Sequence, residues 1–174
     1  MVWGVKEGDV EVNVSIRSIV KKVMFILFIA YGAVVIYATL IRENEHVYGK
    51  AMNLDLFSTI RLMWDSGNIM LTLTNILGNI VMFAPLGMFI PLFMKWFDGF
   101  IQVFTTGFLI SFLIEILQYK LTERVFDIDD IFLNTLGTFI GWVIIKILYW
   151  IKNMLKARFK KMKGLLYEVL FASC

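Results

Sequence analysis

Four stretches of this chain stay apolar for longer than a soluble core element needs, and each is bounded by charges or turn residues. The first, Val23–Ile41, follows Lys21 and Lys22 and would make about 28 Å of helix at 1.5 Å per residue, enough to cross a bilayer. Its basic flank resembles a signal peptide. The run is longer than a usual signal core, however, and has no small-x-small cleavage site near Ala38–Leu40, so an uncleaved anchor is expected. The second, from Ile69 to about Phe97, carries Asn75, Gly78 and Asn79 on one helical face. Pro85 is expected to kink it and Pro91 to break it again near its end. A tight connection at 95–99 leads to the third, Phe100–Tyr119, interrupted by Gln102, Thr105, Thr106 and Ser111 and then by Glu115 and Gln118, which share one face. The fourth is Ile131–Ile151. Asp127, Asp130, Asn134, Gly137 and Gly141 recur along it at helical spacing, a stripe acidic at its mouth and small further in, with Gly137-xxx-Gly141 as a close-packing pattern for membrane helices.

Between and beyond these runs the pattern changes. Residues 1–22 alternate loosely and are expected to be a cytoplasmic tail or surface segment. Residues 42–68 are polar and aromatic, but Leu54, Phe57, Ile60, Met63 and Trp64 recur at helical spacing, which predicts a short amphipathic helix on the bilayer surface. His46, the single histidine, has no neighbouring histidine or cysteine, and Cys174, the single cysteine, has no partner for an internal disulfide and lacks the residues of a prenylation box. Residues 152–174 hold Lys152, Lys156, Arg158, Lys160, Lys161 and Lys163 before an apolar end too short to span. That end reads as an amphipathic segment at the head groups of an anionic leaflet, or alternatively as a disordered basic tail. No repeat or linker divides the chain. The expectation is therefore an all-α integral membrane four-helix bundle over residues 23–151, with an N-terminal segment over 1–22, an interfacial helix in the first outer loop and a basic C-terminal tail.

Composition supports a membrane protein: 59% of residues are hydrophobic and the mean hydropathy is +0.76. The formal charge of +3 could suggest nucleic acid, but the basic residues flank the apolar runs, where they read as topology signals and contacts with membrane lipids. Lys6, Arg17, Lys21, Lys22 and Lys95 fall with the six C-terminal cations on one side of four spans. Arg42, Lys50, Arg61, Lys120 and Arg124 fall on the other. Eleven against five puts both termini in the cytoplasm.

That orientation brings the start of the second span, the end of the third and the start of the fourth to the outer side. Asn75, Asn79, Glu115, Gln118, Arg124, Asp127, Asp130 and Asn134 are the candidate site residues there. A carboxylate within an apolar span costs roughly 2.5–3.5 kcal/mol on the insertion scale, so it calls for a reason. Three are open: an internal network that fixes packing, recognition of a polar head group or glycopeptide with Arg124 facing a phosphate or carboxylate, or catalysis in which Glu115, Asp127 and Asp130 act as acid and base or hold Mg²⁺ or Ca²⁺ through their oxygens. With no Cys/His pair and no serine elbow, no catalytic residue is assigned, and neither a metal nor a cofactor is expected. A transporter would need an oligomer to supply missing walls, which leaves a homo-oligomer open.

The ordered series Asn75-xxx-Asn79-xxx-Phe83-x-Pro85-x-Gly87, Glu115-xx-Gln118 and Arg124-xx-Asp127-xx-Asp130-xxx-Asn134-xx-Gly137-xxx-Gly141 resembles the VanZ-like membrane proteins over about residues 50–145. Asn53–Phe57 is similar to that family's Asn-Leu-x-Pro-Phe element, with Leu56 where the family usually has proline. The resemblance implies a bacterial plasma-membrane protein of the cell envelope, associated in the family's namesake with low-level resistance to the glycopeptide teicoplanin. The expected partners are then membrane lipids, a lipid-linked wall precursor or a lipoglycopeptide, and not nucleic acid. A membrane enzyme modifying a lipid or wall component is the alternative, and a small transporter a further one.

Overall fold

The computed structural model describes residues 7–41, 51–94, 96–122 and 124–172. In chain order the elements are α1 (Glu7–Ile36), a π-helical turn (Tyr37–Ile41), β1 (Met52–Asn53), α2 (Ser58–Asp65), α3 (Ile69–Phe93), α4 (Phe100–Leu121), β2 (Phe126–Asp127) and α5 (Ile128–Ala172). Among the described residues four helices are long and apolar enough to cross a membrane, over Ser18–Leu40, Ile69–Phe93, Phe100–Leu121 and Ile128–Tyr167. The architecture is an all-α membrane bundle. Its departure from helix is small: β1 and β2 pair in parallel, Met52 with Phe126 and Asn53 with Asp127.

Several boundaries differ from the sequence reading. α1 starts at Glu7, so residues 7–22 are helical and continuous with the first span. α3 runs unbroken through Pro85 and Pro91. Each proline removes one donor, but the other hydrogen bonds of the helix remain and apolar packing on α5 holds it together. α5 does not stop at Ile151. Lys152–Lys163 contains neither glycine nor proline and is rich in strong helix formers, so the basic segment extends the fourth helix to 45 residues, about 68 Å. The amphipathic helix between the first and second spans is present but shorter than its apolar periodicity: Leu54 and Phe57 precede α2. His46 and Cys174 lie outside the described residues.

The centre of the bundle is the α3–α5 pair, with α4 against α5. Phe83, Leu86 and Ile90 of α3 and Val103 of α4 form the buried core, flanked by Phe28, Tyr31, Ile114 and Trp142. The small stripe explains how α3 and α5 approach so closely. A Cβ built on Gly137 would strike Ile80 O, one on Gly141 would strike Ala84 O, and one on Gly87 of the facing helix would strike Thr138 O. Backbone against backbone leaves no room for a side chain, which is the use membranes make of small-xxx-small surfaces. α1 is the peripheral helix. It rests on α3 through Phe25, Phe28 and Tyr31, whose rings meet Phe89 and Phe93, and through Tyr31 Oη donating to Met82 O at 2.9 Å.

The turn at the other end from the polar residues is also pinned. Gly99 N donates to Gln102 Oε1 (2.8 Å), Trp142 Nε1 donates to Asp98 O (3.1 Å), and Lys146 Nζ pairs with Asp98 Oδ2 at 2.7 Å. Gln102, which interrupts an apolar run in the sequence, thus caps α4.

Candidate functional site

The first turns of α3, the last turns of α4, the first turns of α5 and the π-helical turn after α1 meet around a polar cavity of about 340 Å³. Its polar lining is Thr39, Thr74, Asn75, Asn79, Glu115, Gln118, Arg124, Asp130 and Asn134. Of the eight residues singled out from the sequence, seven reach this cavity. Asn75, Gly78 and Asn79 do so because they share a face of α3, Glu115 and Gln118 because they share one of α4, and Asp130 and Asn134 because they lie one turn apart on α5.

Asp127 does not line it. Residues 126–127 are strand, so the helical phase that puts Asp130 and Asn134 in line does not extend back to Asp127. Its carboxylate accepts instead from Thr59 Oγ1, Asn53 Nδ2 (3.2 Å) and Asp129 N (2.9 Å). Its amide still serves the cavity, donating to Glu115 Oε2 at 3.1 Å.

Asp129 is the residue the sequence does not single out. It is 1% exposed, and its carboxylate accepts from the amides of Phe57, Thr59 and Ile60, closing the N-terminus of α2 across the chain. Phe57 there is left-handed (φ 66°), a costly conformation for a residue with a Cβ, held by that bond and by its ring set edge-on against Phe132. A turn forms at Leu56 without proline, with Ser58 N donating to Asp55 O at 3.2 Å. An acid in the first turn of α5 is a weak local signal. Its partner helix lies some 70 residues earlier, which periodicity cannot see.

Within the cavity, part of the polarity is already used. The π-helical turn leaves the Thr39 carbonyl to accept from both Gln118 Nε2 (2.8 Å) and Arg124 Nη1 (3.0 Å), which fastens the end of α1 to α4. Asn79 Nδ2 donates to Asp130 Oδ1 at 2.7 Å. Asn134, 3% exposed, donates through Nδ2 to Ser111 Oγ at 2.9 Å, and its Oδ1 is buried with no partner. Turning the amide over would satisfy the oxygen and orphan the nitrogen, so one end stays unmatched in either orientation. Glu115, at 2% exposure, is buried in the same wall. The guanidinium of Arg124 lies within electrostatic reach of both Glu115 and Asp130. Among the described residues no group of three or more His, Cys, Asp or Glu side chains is placed to hold a metal ion.

Fold and cavity together define a multi-pass membrane helical bundle with a buried polar site at one end. The chain belongs to the VanZ-like family: the VanZ/LLP1 family model matches residues 23–149, which contain all four spans' central portions and every residue of the cavity. Comparisons with curated proteins and with solved structures return no match.

Proposed function

We propose that this VanZ-like protein works in the bacterial cell envelope, and that its polar cavity holds a hydroxyl-rich part of the head group of an amphiphile: an envelope lipid, a lipid-linked wall precursor or a lipoglycopeptide such as teicoplanin. The observation that carries this reading is the unmatched amide end of Asn134 in the cavity wall. A buried polar atom without a partner costs about 1–3 kcal/mol, a cost a ligand group removes on binding. Glu115 and Asp130 accept from hydroxyls, the amides of Asn75, Asn79 and Asn134 can do either, and Arg124 offers a donor fork. Two carboxylates against one guanidinium suit hydroxyl or ammonium groups better than a bare phosphate. At 340 Å³ the cavity has the size of a small ligand site, room for one sugar-sized part of a head group, with the rest of the head group outside it and the tail in the bilayer. The eleven-to-five distribution of basic residues supports an outward-opening cavity with both termini in the cytoplasm.

Expression in a susceptible bacterium tests the reading. Wild type should raise tolerance to teicoplanin more than to vancomycin, and Glu115→Ala, Arg124→Ala and Asn134→Leu should abolish the gain; resistance unchanged in all three sinks the cavity's role. Asn134→Leu with Ser111→Ala separates binding from folding. It removes both members of a hydrogen bond together with the unmatched atom, so stability should change little while function is lost.

The two carboxylates that α4 and α5 bring to one cavity favour a second reading, a membrane enzyme that modifies a lipid or wall component with Glu115 and Asp130 as acid and base. It predicts chemically altered envelope lipids in expressing cells, restored to normal by Glu115→Gln or Asp130→Asn. An identical lipid profile with and without the protein removes it.

A further inference from the structure

The opposite end of the bundle carries a second recess of a different kind. It is an open groove of about 1400 Å³ between α1, the end of α3 and the middle of α5, walled by apolar side chains including Val20, Phe25 and Phe93. Three cations stand on it, Lys21 and Lys22 from α1 and Lys152 from α5, and no acidic residue is among its lining. Trp96 and Tyr149 complete the rim, an aromatic and basic belt of the sort found where hydrocarbon meets head groups. Depth agrees. Lys21 lies eighteen residues before Thr39 of the polar cavity, about 27 Å along the helix, and Lys152 lies twenty-two residues after Asp130, about 33 Å. The cavity and the groove are therefore one hydrocarbon thickness apart, at the two faces of the bilayer. The nearby Lys146 differs from the three groove lysines, because its charge is already matched by Asp98.

We propose that this groove is a binding site for an anionic phospholipid, its phosphate among Lys21, Lys22 and Lys152 and an acyl chain along Val20, Phe25 and Phe93. Two helices far apart in sequence supply the cations, so the site also ties peripheral α1 to α5 through the lipid. The long basic extension of α5 adds diffuse attraction for the same leaflet but lies beyond the groove.

Native mass spectrometry of the full chain in detergent, titrated with phosphatidylglycerol or phosphatidylcholine, tests the site. Wild type should retain phosphatidylglycerol in preference. Lys21→Gln/Lys22→Gln/Lys152→Gln should weaken it by roughly fivefold per lysine, about a hundredfold together, to the level of phosphatidylcholine. Lys160→Gln/Lys161→Gln/Lys163→Gln removes the same charge outside the groove and should stay within about twofold of wild type. Val20→Trp keeps every charge but fills the groove, and should also release the lipid. Equal losses in the two lysine triples, or no preference in wild type, would overturn the proposal.

Discussion

Replacing Gly141 by alanine should destabilise the bundle, whereas the same change at Gly32 should not. On helix propensity alone both should gain, by up to about 1 kcal/mol, since alanine is the better helix former. At Gly32 a new Cβ meets nothing within 4 Å, so the propensity gain stands. At Gly141 it would overlap Ala84 O and lie 2.7 Å from Ala84 C and 3.1 Å from Ala84 Cα. Carbon contacts are ordinarily 3.5–4.0 Å, so α3 and α5 must part by about 0.8 Å or more along their most extensive interface. Overpacking of this kind costs about 1–3 kcal/mol. The obstacle here is backbone and cannot rotate away, so the upper end applies and a net loss of about 2 kcal/mol remains after the propensity gain. Thermal unfolding in detergent, followed by circular dichroism, should show a lower midpoint for Gly141→Ala and an unchanged or higher one for Gly32→Ala. Equal midpoints for the two variants would refute the backbone contact between α3 and α5.

Other substitutions test the supports of the site. Asp129→Ala leaves three amides of the α2 turn without their acceptor and should cost about 2–4 kcal/mol, with Asp129→Asn intermediate; hydrogen exchange at Phe57, Thr59 and Ile60 reports it, and unchanged protection there would contradict the cap. Lys146→Met and Asp98→Ala should show a coupling of about 1 kcal/mol in a double-mutant cycle, because the pair is half-exposed. Zero coupling would mean that the Trp142 and Gln102 hydrogen bonds hold the turn without the ion pair. Tyr31→Phe removes one inter-helix bond from α1 to Met82 O and should lower stability by about 0.6 kcal/mol, the usual worth of such bonds in membranes. No change in its unfolding midpoint would show that the aromatic contacts with Phe89 and Phe93 suffice.

The spans are legible in the sequence because a bilayer imposes a length on apolar runs, and the glycine stripe because helix phase survives from Gly137 to Gly141. Phase also explains why Asn75 with Asn79, Glu115 with Gln118, and Asp130 with Asn134 reach one cavity. It fails where the chain is not helical. Asp127 matches the spacing of Asp130 but sits in β2, so its side chain turns to Thr59 and Asn53 while only its amide reaches Glu115. Helix ends are equally poorly marked: nothing like glycine or proline stops α5 at Ile151, and polar residues 7–22 continue α1 because no breaker separates them from the span. Asp129 escapes notice because the amides it accepts from belong to a turn far back along the chain. Gln118 and Arg124 read as ligand-binding residues by type, yet both also hold the Thr39 carbonyl, a need created by a π-helical turn that periodicity does not announce.

An amphiphile whose head group enters the cavity around Glu115, Asp130 and Asn134 should stay bound to the protein through purification. Mass spectrometry of lipids copurifying with the protein from a bacterial membrane, wild type beside Asn134→Leu/Ser111→Ala, tests it most directly. A hydroxyl-rich amphiphile should be enriched with wild type and lost from the double variant, while phosphatidylglycerol at the lysine groove is retained by both. The same copurifying lipids in both proteins would contradict it.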